Sequence, residues 1–241
     1  LRPAPDDKAI EDAVRLLKDA RKPIILAGNG VIRTQAADRL RNFVERSGIG
    51  VISTFMAKGC VSRHSEHCLF TIGLQARDLV ACAVEDADVV MTLGYDLVEY
   101  PPRLWNRRNV SRVLHLDLLP AEVDDHYNVE VEVVGDIPDA LDMLCDAYDA
   151  MDEKPTYDLR QQEAVRHGML GEIAMHRDDV TVGTIRPQKV LWDVRDALGP
   201  EDIVLSDVGA HKMWIARHYH CDEPNTCLIP NGFCSMGFAL P

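Results

Sequence analysis

PIILAGNGVIRTQAADRLRNFVERSGIGVISTF, residues Pro23–Phe55, reads as one unit of a parallel sheet. Pro23–Ala27 is a short, continuous apolar run closed by Gly28-Asn29-Gly30, the pattern of a buried strand and its turn. Thr34–Ser47 has helical spacing, and Gly48-Ile49-Gly50 leads into a second strand, Val51–Phe55. Short apolar strands separated by amphipathic helices imply a parallel sheet covered on both faces.

The alternation continues outward in both directions. Asp6–Ala20 carries Ala9, Ile10, Ala13, Leu16 and Leu17 on one helical stripe, with Asp6 or Asp7 as its cap. Downstream come a helix over Leu74–Glu85, a strand over Val89–Leu93 and a strand over Arg112–Leu116. A strand over Glu130–Val134 and a closing helix over Ile137–Tyr148 complete the unit. Right-handed crossovers make residues 1–150 a doubly wound α/β domain. Ligands of such sheets sit beyond the carboxyl ends of the strands, where Gly28, Thr54, Gly94, Asp117 and Gly135 fall.

Residues 151–185 read as a linker. Met151–Tyr157 is polar and holds Pro155, and Asp158–His176 reads as a helix interrupted at Gly168. Residues 186–241 begin a second α/β unit, with a helix over Gln188–Leu198 and a strand over Ile203–Ser206. There follow a helix over Ala210–Tyr219, a strand over Cys227–Ile229 and a helix from about Ser235. This is a βαβ start without its remainder. The chain opens at Leu1 and closes on Pro241 directly after an apolar run, so we expect it to be part of a longer protein.

The bulk composition narrows the function. Hydrophobic residues make up 46% and charged residues 27%, ordinary for a globular protein. The net charge of −13 argues against a nucleic-acid partner and against an anionic membrane surface. No apolar run approaches the ~18–20 residues of a membrane span. Seven cysteines at irregular spacing read as reduced thiols of a cytoplasmic protein. Cys60, His64, His67 and Cys68 fit no common zinc spacing and read as a polar loop with two buried thiols.

Three turns are candidates for chemistry. Gly28-Asn29-Gly30 is either a dinucleotide turn lacking its third glycine or a turn that needs backbone freedom. Asp207-Val208-Gly209-Ala210-His211 is either a phosphate-binding strand-to-helix junction or a plain turn with Asp207 as cap. In Asn231–Pro241, Met236 is either a core filler or a wedge against a ligand.

At these residues the sequence resembles a known family. VGAHKMWIAR (Val208–Arg217) followed by NGFCSMGFALP (Asn231–Pro241) resembles the opening of the cofactor domain in thiamine-diphosphate enzymes, in particular the acetolactate synthases. GYDLVEYPPRLWN (Gly94–Asn106) and LHLDLLPAEVDDHY (Leu114–Tyr127) resemble that family's middle domain, nearer its catabolic, flavin-independent branch. The resemblance implies thiamine diphosphate as cofactor, with Gly209, Ala210 and His211 at the diphosphate. It implies a backbone carbonyl at Cys234 facing the aminopyrimidine ring, Ser235 beside it, and Met236 bending the cofactor. Ala210 stands where the biosynthetic branch commonly has Gln, and Cys234 where many relatives have Gly or Gln.

The implied activity of the full-length protein is condensation of two pyruvates to 2-acetolactate and CO2. Alternatives are another 2-keto-acid enzyme (a glyoxylate carboligase, a decarboxylase or an oxidase) and a non-catalytic nucleotide-binding or assembly module. Mg2+ is implied, with its GDG…N ligand segment expected beyond Pro241. The activating Glu is expected before Leu1, so this chain carries no catalytic residue and is expected to be silent alone. Tyr95-Asp96-Leu97 places an acid where the biosynthetic branch has an FAD-contacting Arg, which disfavours FAD. Arg77 and Lys58, near strand ends, keep FAD open. The family's sites lie between subunits, which implies a homodimer or homotetramer, with or without a regulatory subunit.

Overall fold

The computed structural model describes residues 2–73, 78–180, 182–231 and 233–240. The chain starts with α1 (Asp7–Asp19), capped by the Asp6 carboxylate accepting from the Ala9 N–H at 3.1 Å. Its expected stripe is buried at Ile10, Ala13, Leu16 and Leu17. β1 (Pro23–Ala27) is buried throughout. The chain turns through α2 (Asn29–Arg33) into α3 (Ala37–Ser47). The single helix expected over Thr34–Ser47 is broken at its start, because Gln35 takes a left-handed backbone at φ 59°.

β2 (Val51–Ser53) ends earlier than expected and passes into a 3₁₀ turn over Phe55–Ala57. β3 (Cys68–Thr71) begins at the last residue of the polar loop expected over Cys60–Cys68, in a stretch for which no strand was expected. α4 (Ala81–Asp86) occupies the end of the helix expected over Leu74–Glu85, whose residues 74–77, Arg77 among them, lie outside the described residues. β4 (Val89–Leu93), α5 (Pro102–Trp105), β5 (Arg112–Asp117), β6 (Val129–Val134) and α6 (Ile137–Asp149) follow. The described strands form one all-parallel sheet in the order β3-β2-β1-β4-β5-β6. The strand order reverses between β1 and β4, as in a doubly wound α/β fold. α1 and α3 both pack on α6.

α7 (Arg160–Ala174) runs unbroken through Gly168. That glycine admits Leu79, whose Cδ2 would lie 2.6 Å from an added Cβ. α7 packs on β3 and α4, and its Val165, Met169 and Ile173 join the main core. Gln162 bridges the sheet's lower edge, accepting from Gly50 N–H at 3.0 Å and donating to Pro23 O at 2.7 Å. α8 (Pro187–Ala197), β7 (Val204–Leu205), α9 (Ala210–His218) and β8 (Cys227–Leu228) form the second unit, with β7 and β8 parallel. The helix expected from about Ser235 is a turn over residues 236–239.

The two units share a core in which Phe55 packs with Ile215, Ala216, Tyr219, Cys221, Cys227 and Ile229. Arg41 fastens the junction with its whole guanidinium. It donates to the carbonyls of Cys60, Gly59 and Asp222 at 3.1, 2.9 and 2.9 Å, and to the Glu223 carboxylate at 3.2 Å. None of the helices among the described residues is long and apolar enough to cross a membrane.

Candidate cofactor-binding site

The carboxyl edge of the large sheet is closed by the protein itself. Gly28 and Gly30 press against the β4 end. An added Cβ on Gly28 would lie 2.4 Å from Gly94 O, and one on Gly30 would lie 2.5 Å from Gly94 Cα. These glycines serve close backbone approach between the β1 and β4 ends. The Glu99 carboxylate sits over the start of α2, accepting from the N–H groups of Asn29 (3.0 Å) and Asp96 (3.2 Å) and from Thr54 Oγ1 (2.5 Å). Burial pushes the Glu99 carboxyl up, against the pull of those hydrogen bonds. Sequence reasoning fixed on Tyr95-Asp96-Leu97. Asp96, however, is exposed and accepts from Val98 N–H, while Glu99 turns inward. Its signal was its place in the GYDLVEY loop, three residues after Asp96.

The second strand-to-helix junction is open. Buried Ser206 follows β7, and Gly209 takes φ 153°, ψ −170° before α9 begins. A Cβ on Gly209 would lie 2.8 Å from the His211 ring. Gly209, Ala210 and His211 are exposed, and their N–H groups find no backbone acceptor among the described residues. Free N–H groups at a helix start, with the helix dipole behind them, receive an anion. Gly209, Ala210 and His211 are the residues that would hold an anionic group such as a diphosphate there.

Asp207, expected as the helix cap, instead joins two segments. Its carboxylate accepts from Val208 N–H at 2.7 Å and from Gly237 N–H at 2.9 Å. The N–H groups of Val208 and Gly237, with those of Ala239 and Phe238, hold its carboxyl below the usual range. The junction before α9 is thus brought beside Cys234, Ser235 and Met236. All three are exposed, and Met236, at 83%, is no core filler. Cys234 takes a left-handed backbone at φ 49°. Gly232 and Pro241 lie outside the described residues.

Lys212, which the sequence did not single out, supports this segment from below. Its buried ammonium donates to Asn231 Oδ1 at 3.0 Å and to Cys234 Sγ at 3.3 Å, and lies 5.4 Å from the Phe55 ring centroid. Asn231 in turn donates to Glu99 O at 3.1 Å, so the cofactor-side loop rests on the large sheet's β4 loop. Cys60 and Cys68 are buried thiols, and no group of His, Cys, Asp or Glu comes together to hold a metal ion among the described residues.

A doubly wound parallel sheet followed by a second strand-turn-helix unit with an open helix start defines an α/β protein of the cofactor-binding class. The model of the thiamine pyrophosphate enzyme central domain matches residues 10–144, and that of the C-terminal TPP-binding domain matches residues 207–241. The chain belongs to the thiamine pyrophosphate enzyme family. It is 31% identical to an acetolactate synthase of Bacillus subtilis over 100% of its own length and 42% of that protein. Its identity is 28% to an acetolactate synthase of Mycobacterium leprae and 29% to an acetolactate synthase large subunit of Corynebacterium glutamicum, in each case over 98% of this chain and 38% of the relative. The chain thus spans about two fifths of the length of these curated relatives.

Proposed function

We propose that this chain is the middle domain and the opening of the cofactor domain of a carboligase that converts two pyruvates to 2-acetolactate and CO2. The observation that carries the reading is the Asp207 clasp, which sets the open α9 start beside Cys234–Met236. In this reading the N–H groups of Gly209, Ala210 and His211 bind the diphosphate of thiamine diphosphate. The Cys234 carbonyl accepts from the ring amino group, Ser235 flanks it, and the exposed Met236 side chain props the cofactor. Asp207 and Lys212 touch no reacting atom; they hold the two segments in place. The cofactor supplies the carbanion chemistry when bound.

Mg2+ belongs to this proposal as the diphosphate's counter-ion, held by residues outside this chain. FAD does not, because Glu99 already sets a carboxylate over the α2 start, where a flavin's diphosphate would meet like charge. The full-length protein is proposed to be a cytoplasmic homodimer or homotetramer, with or without a regulatory subunit. The test is full-length protein with pyruvate, Mg2+ and thiamine diphosphate, read by acetolactate formation. Acetolactate at the rate of CO2 release, two pyruvates consumed per product, supports the reading. Turnover of a different 2-keto acid with no acetolactate would overturn the pyruvate assignment.

A further inference from the structure

A cleft of about 430 Å³ opens where α7, α8 and the end of α9 meet β3. That size falls within the roughly 300–1,000 Å³ of small-molecule sites. Phe70 of β3, Ile173 of α7 and Trp192 of α8 give the cleft an apolar wall. Arg195 of α8, His218 at the end of α9 and His220 two residues further on give it a polar one. These three polar residues are only 5%, 6% and 7% exposed.

The polar wall lacks partners. Nε of Arg195, Nδ1 of His218 and Nε2 of His220 have no hydrogen-bond partner among the described residues. The other nitrogen of each imidazole makes no hydrogen bond there either, and a half-turn of the ring exchanges the two. Neighbouring rings fix the planes of both. His218 stacks on Trp214, and His220 meets Phe70 edge-on with centroids 5.4 Å apart. Buried polar groups without partners are costly, and folded proteins keep few of them. Here three such residues line one cleft.

The charges around the cleft narrow what it would hold. Arg195 donates to carbonyl oxygens, those of Leu198 at 2.7 Å, His220 at 3.4 Å and Gly199, and lies 5.2 Å from the Tyr219 ring centroid. No carboxylate pairs with it among the described residues. Arg63, the other arginine on the cleft, is matched by Asp222 at 3.1 Å. Burial keeps both imidazoles neutral, bringing His218 down to about 4 and His220 well below its ordinary value. They therefore serve as hydrogen-bonding groups rather than as charges. One unmatched cation calls for one negative charge, and the exposed Asp196 at the rim repels a second. A carboxylate meets that demand better than a phosphate dianion, and the apolar wall calls for a hydrocarbon body.

We propose that this cleft binds a small monocarboxylate with a compact apolar body, the carboxylate among Arg195, His218 and His220 and the body against Phe70, Ile173 and Trp192. The test is calorimetry of the full-length protein, saturated with thiamine diphosphate and Mg2+, against 3-phenylpropionate and its uncharged amide. The acid should bind about tenfold more tightly than the amide. With the acid bound, hydrogen exchange should slow at residues 170–174, 192–196 and 218–220. Trp192→Ala should weaken both probes about tenfold, and Arg195→Gln should bring the acid down to the affinity of the amide. Equal affinities for acid and amide would overturn the proposal, as would binding undiminished by Trp192→Ala. Absence of binding would overturn it too, the cleft then being covered by the remainder of the protein or filled by water alone. The exchange map of the wild-type protein decides even where Arg195→Gln does not fold, since protection confined to other segments places the probe elsewhere.

Discussion

His218 stacks on Trp214 with ring centroids 5.6 Å apart, and only 6% of it is exposed. Burial first, joined by the charges of Arg217, His176 and Lys58 and opposed by that of Glu172, lowers its pKa from 6.5 to about 4. His220, beside Lys58, Arg63 and Arg195, is driven the same way by burial. Between these two values the unfolded chain takes up a proton that the folded chain refuses. Stability present above pH 6.5 is therefore lost as pH falls toward about 4, by up to about 3 kcal/mol from His218. Denaturant unfolding across this range checks it. His218→Gln should flatten the pH slope relative to wild type, and an unchanged slope would refute the assignment. Asp207, with its depressed carboxyl, also loses its contribution as pH falls through its folded value, so the clasp weakens in the same direction.

At the scale of elements, close backbone approach governs where glycine is required. Gly30→Ala places a Cβ against the backbone of Gly94 and should cost about 1–3 kcal/mol in urea unfolding. Gly171→Ala, on an exposed position of α7 with nothing within 4 Å of its Cβ, should instead stabilise by about 0.5–1 kcal/mol. Opposite signs in the two variants are the expected outcome. β1 and β4 were legible because continuous apolar runs, closed by Gly28 and Gly94, state burial on both faces. β3 was not, since CLFT is four residues long and follows a polar stretch. The break before α3 was hidden because Thr34, Gln35 and Ala36 carry no Gly or Pro to announce it. In the candidate site, Gly209 was visible as a glycine at a strand-to-helix step. Glu99, Lys212 and Asn231 were not, because their partners lie in distant parts of the chain and leave no local pattern.

For the molecule as a whole, Arg41 is a polar fastening between the two units, through Asp222 and Glu223. Its planar fork reaches three carbonyls and one carboxylate at once. Lysine has one ammonium and cannot span them. Arg41→Lys should lose about 2–3 kcal/mol of stability, nearly as much as Arg41→Ala. Differential hydrogen exchange should place the loosening at Gly59, Cys60 and Asp222. Retention of wild-type stability by the lysine variant would show that charge alone holds the junction.

The place of β1 has a consequence for how the chain is made. β1 precedes the other strands of its sheet in the chain, yet it lies inside that sheet, with β2 on one side and β4 on the other. Its partner Val89 follows Pro23 only after the whole β2–β3 half has been synthesised. Until then one edge of PIILA, apolar on both faces, stands unpaired. Closing so long a loop is slow, and the waiting edge is open to wrong partners during synthesis.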